Sequence, residues 1–134
     1  MNKNGAAHTR NREFSRCILL GKENADRELV RILESAFDGV DVFENLERIQ
    51  LSDRFPPVSL LVVSSSFPGG INRQLVETAK ARVKPGSTIC LVDHVGPEKE
   101  IQLRAAGITF LGTFSSFAHH AKDILGTARG KPFN

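Results

Sequence analysis

Residues 59 to 70 read Ser59-Leu60-Leu61-Val62-Val63-Ser64-Ser65-Ser66-Phe67-Pro68-Gly69-Gly70. A half-exposed strand would alternate apolar with polar residues, and a buried helix would need a longer run. Four consecutive aliphatic residues therefore describe a strand covered on both faces. Strands of that kind belong to parallel sheets flanked by helices. At Ser64 the chain turns abruptly to hydroxyls, Pro and Gly, the composition of a loop. Asn72 then caps a helix with Leu75, Val76, Ala79 and Val83 inward, and Lys84-Pro85-Gly86 stops it.

The same alternation of elements extends in both directions. Upstream, Cys17-Ile18-Leu19-Leu20 is a buried strand ending at Gly21, and Asn24 caps a helix in which Leu29, Ile32, Leu33, Ala36 and Phe37 share one face. Val40-Asp41-Val42-Phe43-Glu44 carries charge within a strand and so belongs near a sheet edge. Leu46 and Ile49 indicate a short helix before Phe55-Pro56-Pro57 breaks the chain. Downstream, Thr88-Ile89-Cys90-Leu91-Val92 is a buried strand ending at Asp93-His94. Pro97, Glu98 and Glu100 suit the first turn of the next helix, which Gly107 closes. Ile108 to Leu111 forms a fifth strand, and Ser115 or Ser116 caps a last helix bearing Phe117, Ala118, Ala121, Ile124 and Leu125, with Gly126 at its end.

Strands alternating with single helices require right-handed crossovers. The expected fold class is α/β: a flavodoxin-like, doubly wound five-stranded parallel sheet in the order 2-1-3-4-5, with the charged second strand at an edge. Function in such a sheet gathers past the carboxyl ends of the strands, here in the loops 21–24, 64–70, 93–96 and 112–115.

The chain of 134 residues is 40% hydrophobic and carries 18 Lys and Arg against 15 Asp and Glu, a net charge of +3. That length makes one domain, expected at 14–126 between a flexible basic tail at 1–13 and a flexible tail at 127–134. Residues 1–13 and 126–134 each carry a net +2, which leaves 14–125 at −1. A folded body of that charge has no basic stripe for phosphates and argues against nucleic acid. Apolar runs fall far short of the roughly 20 residues that cross a bilayer, and Cys17 and Cys90 stand apart in apolar runs as ordinary thiols. A soluble, cytoplasmic protein without metal or cofactor is expected.

Two strings, LLVVSSSFPGG and LRAAGITFLG, together with the layout of residues 17 to 125, resemble the receiver domain of bacterial two-component response regulators. In that family the first strand ends in an acid pair, where this chain has Lys22-Glu23. The phosphoacceptor Asp stands four residues before a Met-Pro-Gly; Pro68-Gly69 is kept here and Ser64 takes the acceptor position. The Ser or Thr ending the fourth strand maps to Asp93, or by a competing alignment to Val92, and the closing Lys to Thr113. The resemblance thus implies a degenerate receiver lacking the phosphoacceptor Asp, with Lys22, Glu23, Ser64, Asp93 and Thr113 at the old site. A Ser hydroxyl is a far poorer nucleophile at neutral pH than a carboxylate.

Other residues carry alternative chemistry. Ser65, Ser66, Gly69 and Gly70 form a possible anion-binding loop, although they match neither a Walker pattern nor a dinucleotide fingerprint. Asp93-His94 pairs an acid with a titrating imidazole, but no nucleophile is placed beside it. His119-His120 lacks the spacing of a metal pair. Two functions follow from the whole. One is a phosphorylation-independent signalling module, not an enzyme, that meets a protein partner or a second copy through the face of Arg104, Phe110, His119 and Lys122. The other is a small-ligand or anion-binding domain, or an enzyme, that uses the Ser64 to Gly70 loop.

Overall fold

The third strand dominates the computed structural model, which describes residues 15–49 and 57–128. β1 (Arg16–Leu20), β2 (Gly39–Phe43), β3 (Val58–Ser64), β4 (Ser87–Leu91) and β5 (Phe110–Gly112) form one sheet in the order β2-β1-β3-β4-β5. Every pairing is parallel. Leu60, Leu61, Val62 and Val63 are wholly buried because alternate side chains enter two separate cores. Leu61 and Val63 pack with Val76, Ala79 and Val83 of α2 (Arg73–Val83) and Leu103 of α3 (Pro97–Ala105). Leu60 and Val62 pack with Leu29 and Leu33 of α1 (Arg27–Ala36), Phe117 of α4 (Phe114–His119) and Leu125 of α5 (Ala121–Ala128). Each large side chain buried in these layers stabilises the fold by roughly 1.5–3 kcal/mol.

The charged strand β2 does lie at an edge, where Asp41 accepts a 3.1 Å ion-paired hydrogen bond from Arg16 Nε. Asn72 caps α2 by accepting from the Leu75 amide at 2.8 Å, and the left-handed Lys84 ends it.

Four local expectations are corrected. Asn24 does not cap α1; Asp26 occupies the cap position, and its carboxylate makes no cap hydrogen bond because serines of β3 and its loop engage it. The short helix near Leu46 is a single 3-10 turn, Leu46–Arg48, capped by Asn45. The fifth strand starts two residues late, at Phe110, because Gly107 is left-handed and the Thr109 amide turns back to the Thr88 carbonyl. The last helix is capped by Thr113, breaks at His120, and runs past Gly126 to Ala128. Expectations for residues 1–13, for Phe55-Pro56 and for 129–134 lie outside the described residues.

Candidate functional site

At the carboxyl end of β1, Gly21 leaves room for the side chains of Asp26, Ser64 and Ser66. A Cβ there would lie 2.5 Å from Asp26 Oδ2 and 3.1 Å from Ser64 Cβ. Beyond Gly21 the chain turns tightly, with the Ala25 and Asp26 amides donating to the Lys22 carbonyl. That turn swings Asp26 back over the end of β3.

A closed polar network results. Ser64 Oγ donates to Asp26 Oδ1 at 3.0 Å and Ser66 Oγ donates to Asp26 Oδ2 at 2.5 Å. Ser64 Oγ accepts from the Ser66 amide at 3.2 Å, and Ser66 Oγ accepts from the Lys22 amide at 2.9 Å. Both hydroxyls therefore donate and accept, and both carboxylate oxygens are engaged, as burial of Ser64 demands. The Ser65 amide fixes the loop to β4 through the Leu91 carbonyl at 2.9 Å.

Beside this network opens a cleft of about 490 Å³. Asp26, Glu28 and Asp93 bring carboxylates to it, Ser64, Ser65 and Ser66 bring hydroxyls, and Leu29, Leu91, Val92 and Phe114 make its apolar wall. Among the described residues no Lys, Arg or His lines it. Among the described residues no three His, Cys, Asp or Glu side chains are grouped to hold a metal ion. The Mg²⁺ that receivers use is poorly matched by these residues. Asp26 is already taken by two hydroxyls, Ser64 stands in place of an acid, and Glu28 and Asp93 form no metal-holding group with Asp26.

The sequence-derived candidates divide into three groups. Ser64, Ser65, Ser66 and Asp93 meet at the cleft. Lys22 and Glu23 stand exposed near it, but Lys22 contributes only its backbone amide to the network. Thr113 is a helix cap, its Oγ accepting from the Ser116 amide at 3.1 Å, and it is the following Phe114 that lines the cleft. Gly69 and Gly70 adopt positive φ, 93° and 79°, in the loop beyond Phe67 and do not line the cleft. Arg104, His119 and Lys122 are exposed, while Phe110 is half-buried against Phe117, with ring centroids 6.2 Å apart.

Asp26, Glu28 and Phe114 are the residues that sequence reasoning missed. The signal for Asp26 was its position, since Asp just before an amphipathic helix is a favoured cap. Away from the cleft, Cys17 and Cys90 are buried in opposite cores. Desolvation raises both thiols; that of Cys90 is pushed up to about 12.

No family model and no curated protein matches the sequence. Solved structures do match the fold. It superimposes on a CheY-like receiver domain from Methanospirillum hungatei with a TM-score of 0.65 and 14% identity, over 88% of this chain and 98% of that one. A two-component response regulator from Clostridium difficile gives 0.66 and 10%, over 87% and 95%. The HemR receiver domain from Leptospira biflexa gives 0.61 and 14%, over 84% and 94%. The fold is therefore receiver-like and flavodoxin-like.

Proposed function

We propose that the protein is a signal-transduction module of receiver type that works without phosphoryl transfer and acts through protein contacts. The observation that carries this reading is the hydroxyl of Ser64 at the end of β3, buried and committed to Asp26. Phosphoryl transfer to a receiver needs a free carboxylate as nucleophile and cations around the transferring oxygens. Here the strand end offers a neutral hydroxyl, the nearest carboxylate is held by two serines, and no cationic side chain among the described residues lines the cleft.

Incubation with acetyl phosphate and Mg²⁺ is expected to leave the intact mass unchanged, and a phosphoryl adduct would overturn the reading. The contact face runs over α3, β5 and α4–α5, where Arg104, His119 and Lys122 are exposed. In the double variant R104E/K122E, partner binding should weaken while thermal stability changes little, because exposed charges contribute little to folding.

A ligand-binding reading is favoured by the size of the cleft, but its three carboxylates oppose a phosphate or other anion. Loss of all binding in E28A, whose side chain is exposed at the cleft, with retention in R104E/K122E would move the contact to the cleft.

A further inference from the structure

The cleft beside the Ser64 and Asp26 network carries an imbalance of charge that the signalling reading leaves unused. Asp26, Glu28 and Asp93 are carboxylates, and among the described residues no cationic side chain lines the cleft. Asp26 is half-buried and gives one lone pair of each oxygen to a serine. A carboxylate offers about four such sites, so each oxygen keeps a second. Glu28 and Asp93 are exposed, and among the described residues neither side chain makes a hydrogen bond or an ion pair. Lys22 and Arg27, the cations flanking Asp26 in the chain, form no ion pair either.

Acids alone on a surface are met by solvent ions and define no ligand. The same cavity, however, has a second and independent part. Leu29, Leu91 and Val92 are buried and still front the cleft, with the half-buried Phe114 beside them. An inorganic cation gains nothing from such a wall, and an uncharged apolar molecule leaves the carboxylates unpaired. The group that satisfies both parts at once is an organic cation on an apolar stem. Its N–H groups donate charge-assisted hydrogen bonds to carboxylates. Its stem covers the aliphatic wall, and a cation near the face of an aromatic ring such as that of Phe114 is attracted by the ring's quadrupole. The volume of about 490 Å³ is that of a small-molecule site.

We propose that this cleft binds an organic cation, a primary ammonium or guanidinium on an apolar stem, with Glu28 and Asp93 taking the charge and Leu29, Val92 and Phe114 the stem. Asp26 stays with its serines and adds its remaining lone pairs. The proposal goes beyond the signalling reading, which assigns the cleft no ligand.

Backbone amide NMR of the full chain, titrated with hexylammonium chloride from micromolar to tens of millimolar, tests this. Saturable shifts are expected at residues 26–29, 64–66, 91–93 and 114. Hexanoate and hexanol, which keep the stem but reverse or remove the charge, should bind at least about tenfold more weakly, as should methylammonium, which keeps the charge and loses the stem. E28Q/D93N changes two exposed positions, so it should remain folded by circular dichroism and raise the dissociation constant for hexylammonium by about tenfold. F114A should erase the advantage of hexylammonium over methylammonium, and rising NaCl should weaken binding, because exposed charges are screened. The absence of a saturable shift, an equal affinity for hexanol, or an affinity unchanged in E28Q/D93N overturns the proposal. Shifts of the same amides with Mg²⁺ and none with hexylammonium would mean a site for inorganic cations only, and overturn it too. An acetylated and amidated Leu-Lys-Leu peptide separates the two sources of the ligand. Tighter binding than hexylammonium assigns the cation to a lysine side chain of a partner, weaker binding assigns it to a free amine, and both support the shared chemistry. None of these outcomes depends on phosphoryl transfer, so the acetyl phosphate experiment succeeds or fails separately.

Discussion

Ser64 and Asp26 lie 38 residues apart in the chain, yet the serine hydroxyl donates to the carboxylate at 3.0 Å. This contact ties the start of α1 to the end of the central strand. Ser66 doubles it, and the absence of a side chain at Gly21 leaves the carboxylate its place, since a Cβ there would lie 2.5 Å from Asp26 Oδ2. The site is thereby satisfied from within: its acid, its two hydroxyls and the Lys22 amide already have each other.

Removing the carboxylate should expose how much the fold depends on it. D26A leaves two hydroxyls without their acceptor, one of them on the buried Ser64, and is expected to cost about 1–3 kcal/mol in urea unfolding. D26N keeps an acceptor oxygen and should lose less. Adding S64A to D26A should cost little more, with a non-additivity of about 0.5–3 kcal/mol. Strictly additive losses would mean that the contact does not stabilise the fold.

The sheet was legible in the sequence for a physical reason. An uninterrupted aliphatic run such as Leu60 to Val63 is stable between two apolar layers, and a charge such as Asp41 is best placed at an edge, so polarity set the second strand at an edge while the alternating layout of strands and helices supplied the rest of the order. Ser64 was legible because it ends such a run. Asp26 was not, because its place depends on the turn made by residues 22–26, and that turn is set by the backbone hydrogen bonds to the Lys22 carbonyl. Glu23, the acid nearest the strand in sequence, stays exposed in the same turn. The caps failed similarly. Thr113, Ser115 and Ser116 are all competent cap residues, and the tertiary position of β5 selects the first.

The buried thiols set an alkaline limit. Each folded thiol titrates above its ordinary value of 9.0, Cys90 at about 12, so the unfolded chain loses these protons first. Stability is thus fully present below pH 9.0 and falls as pH rises toward the folded values, by about 1.4 kcal/mol per pH unit for each thiol. The chain has no Tyr to titrate in the same window. Urea melts at rising pH should show this slope, reduced by half in C90A. A slope unchanged in C90A would refute the assignment.

Lys80 is expected to hold α3 in place. Its ammonium donates to the Ala106 carbonyl at 2.7 Å and the Gly107 carbonyl at 2.9 Å, where the negative end of the α3 dipole lies. K80A should cost about 1–2 kcal/mol and accelerate amide exchange in α3 more than in β3. G107A should cost a similar amount, since φ is +85° and the added methyl would meet Lys80 Nζ at 2.5 Å. Combined, the two should cost less than their sum, because K80A removes the clash and leaves only the backbone strain.

S64D tests whether Ser64 is what keeps the site closed. The substitution sets a second carboxylate against Asp26 in a position that is 4% exposed and removes the hydroxyl that now donates to it. Like charges in so little solvent resist ionisation together, so the pair holds a proton to higher pH than the unfolded chain does. The sign follows from linkage: the variant is closest to wild-type stability below about pH 4 and falls behind as pH rises, by about 1.4 kcal/mol per unit until the folded pair ionises. Mg²⁺ should recover part of the loss, because two facing carboxylates make a start on the oxygen ligands a hard cation takes. The wild type should show no such shift in melting temperature with Mg²⁺, since its one central carboxylate is occupied by Ser64 and Ser66. Equal Mg²⁺ responses in the two proteins would mean that the serines do not close the site.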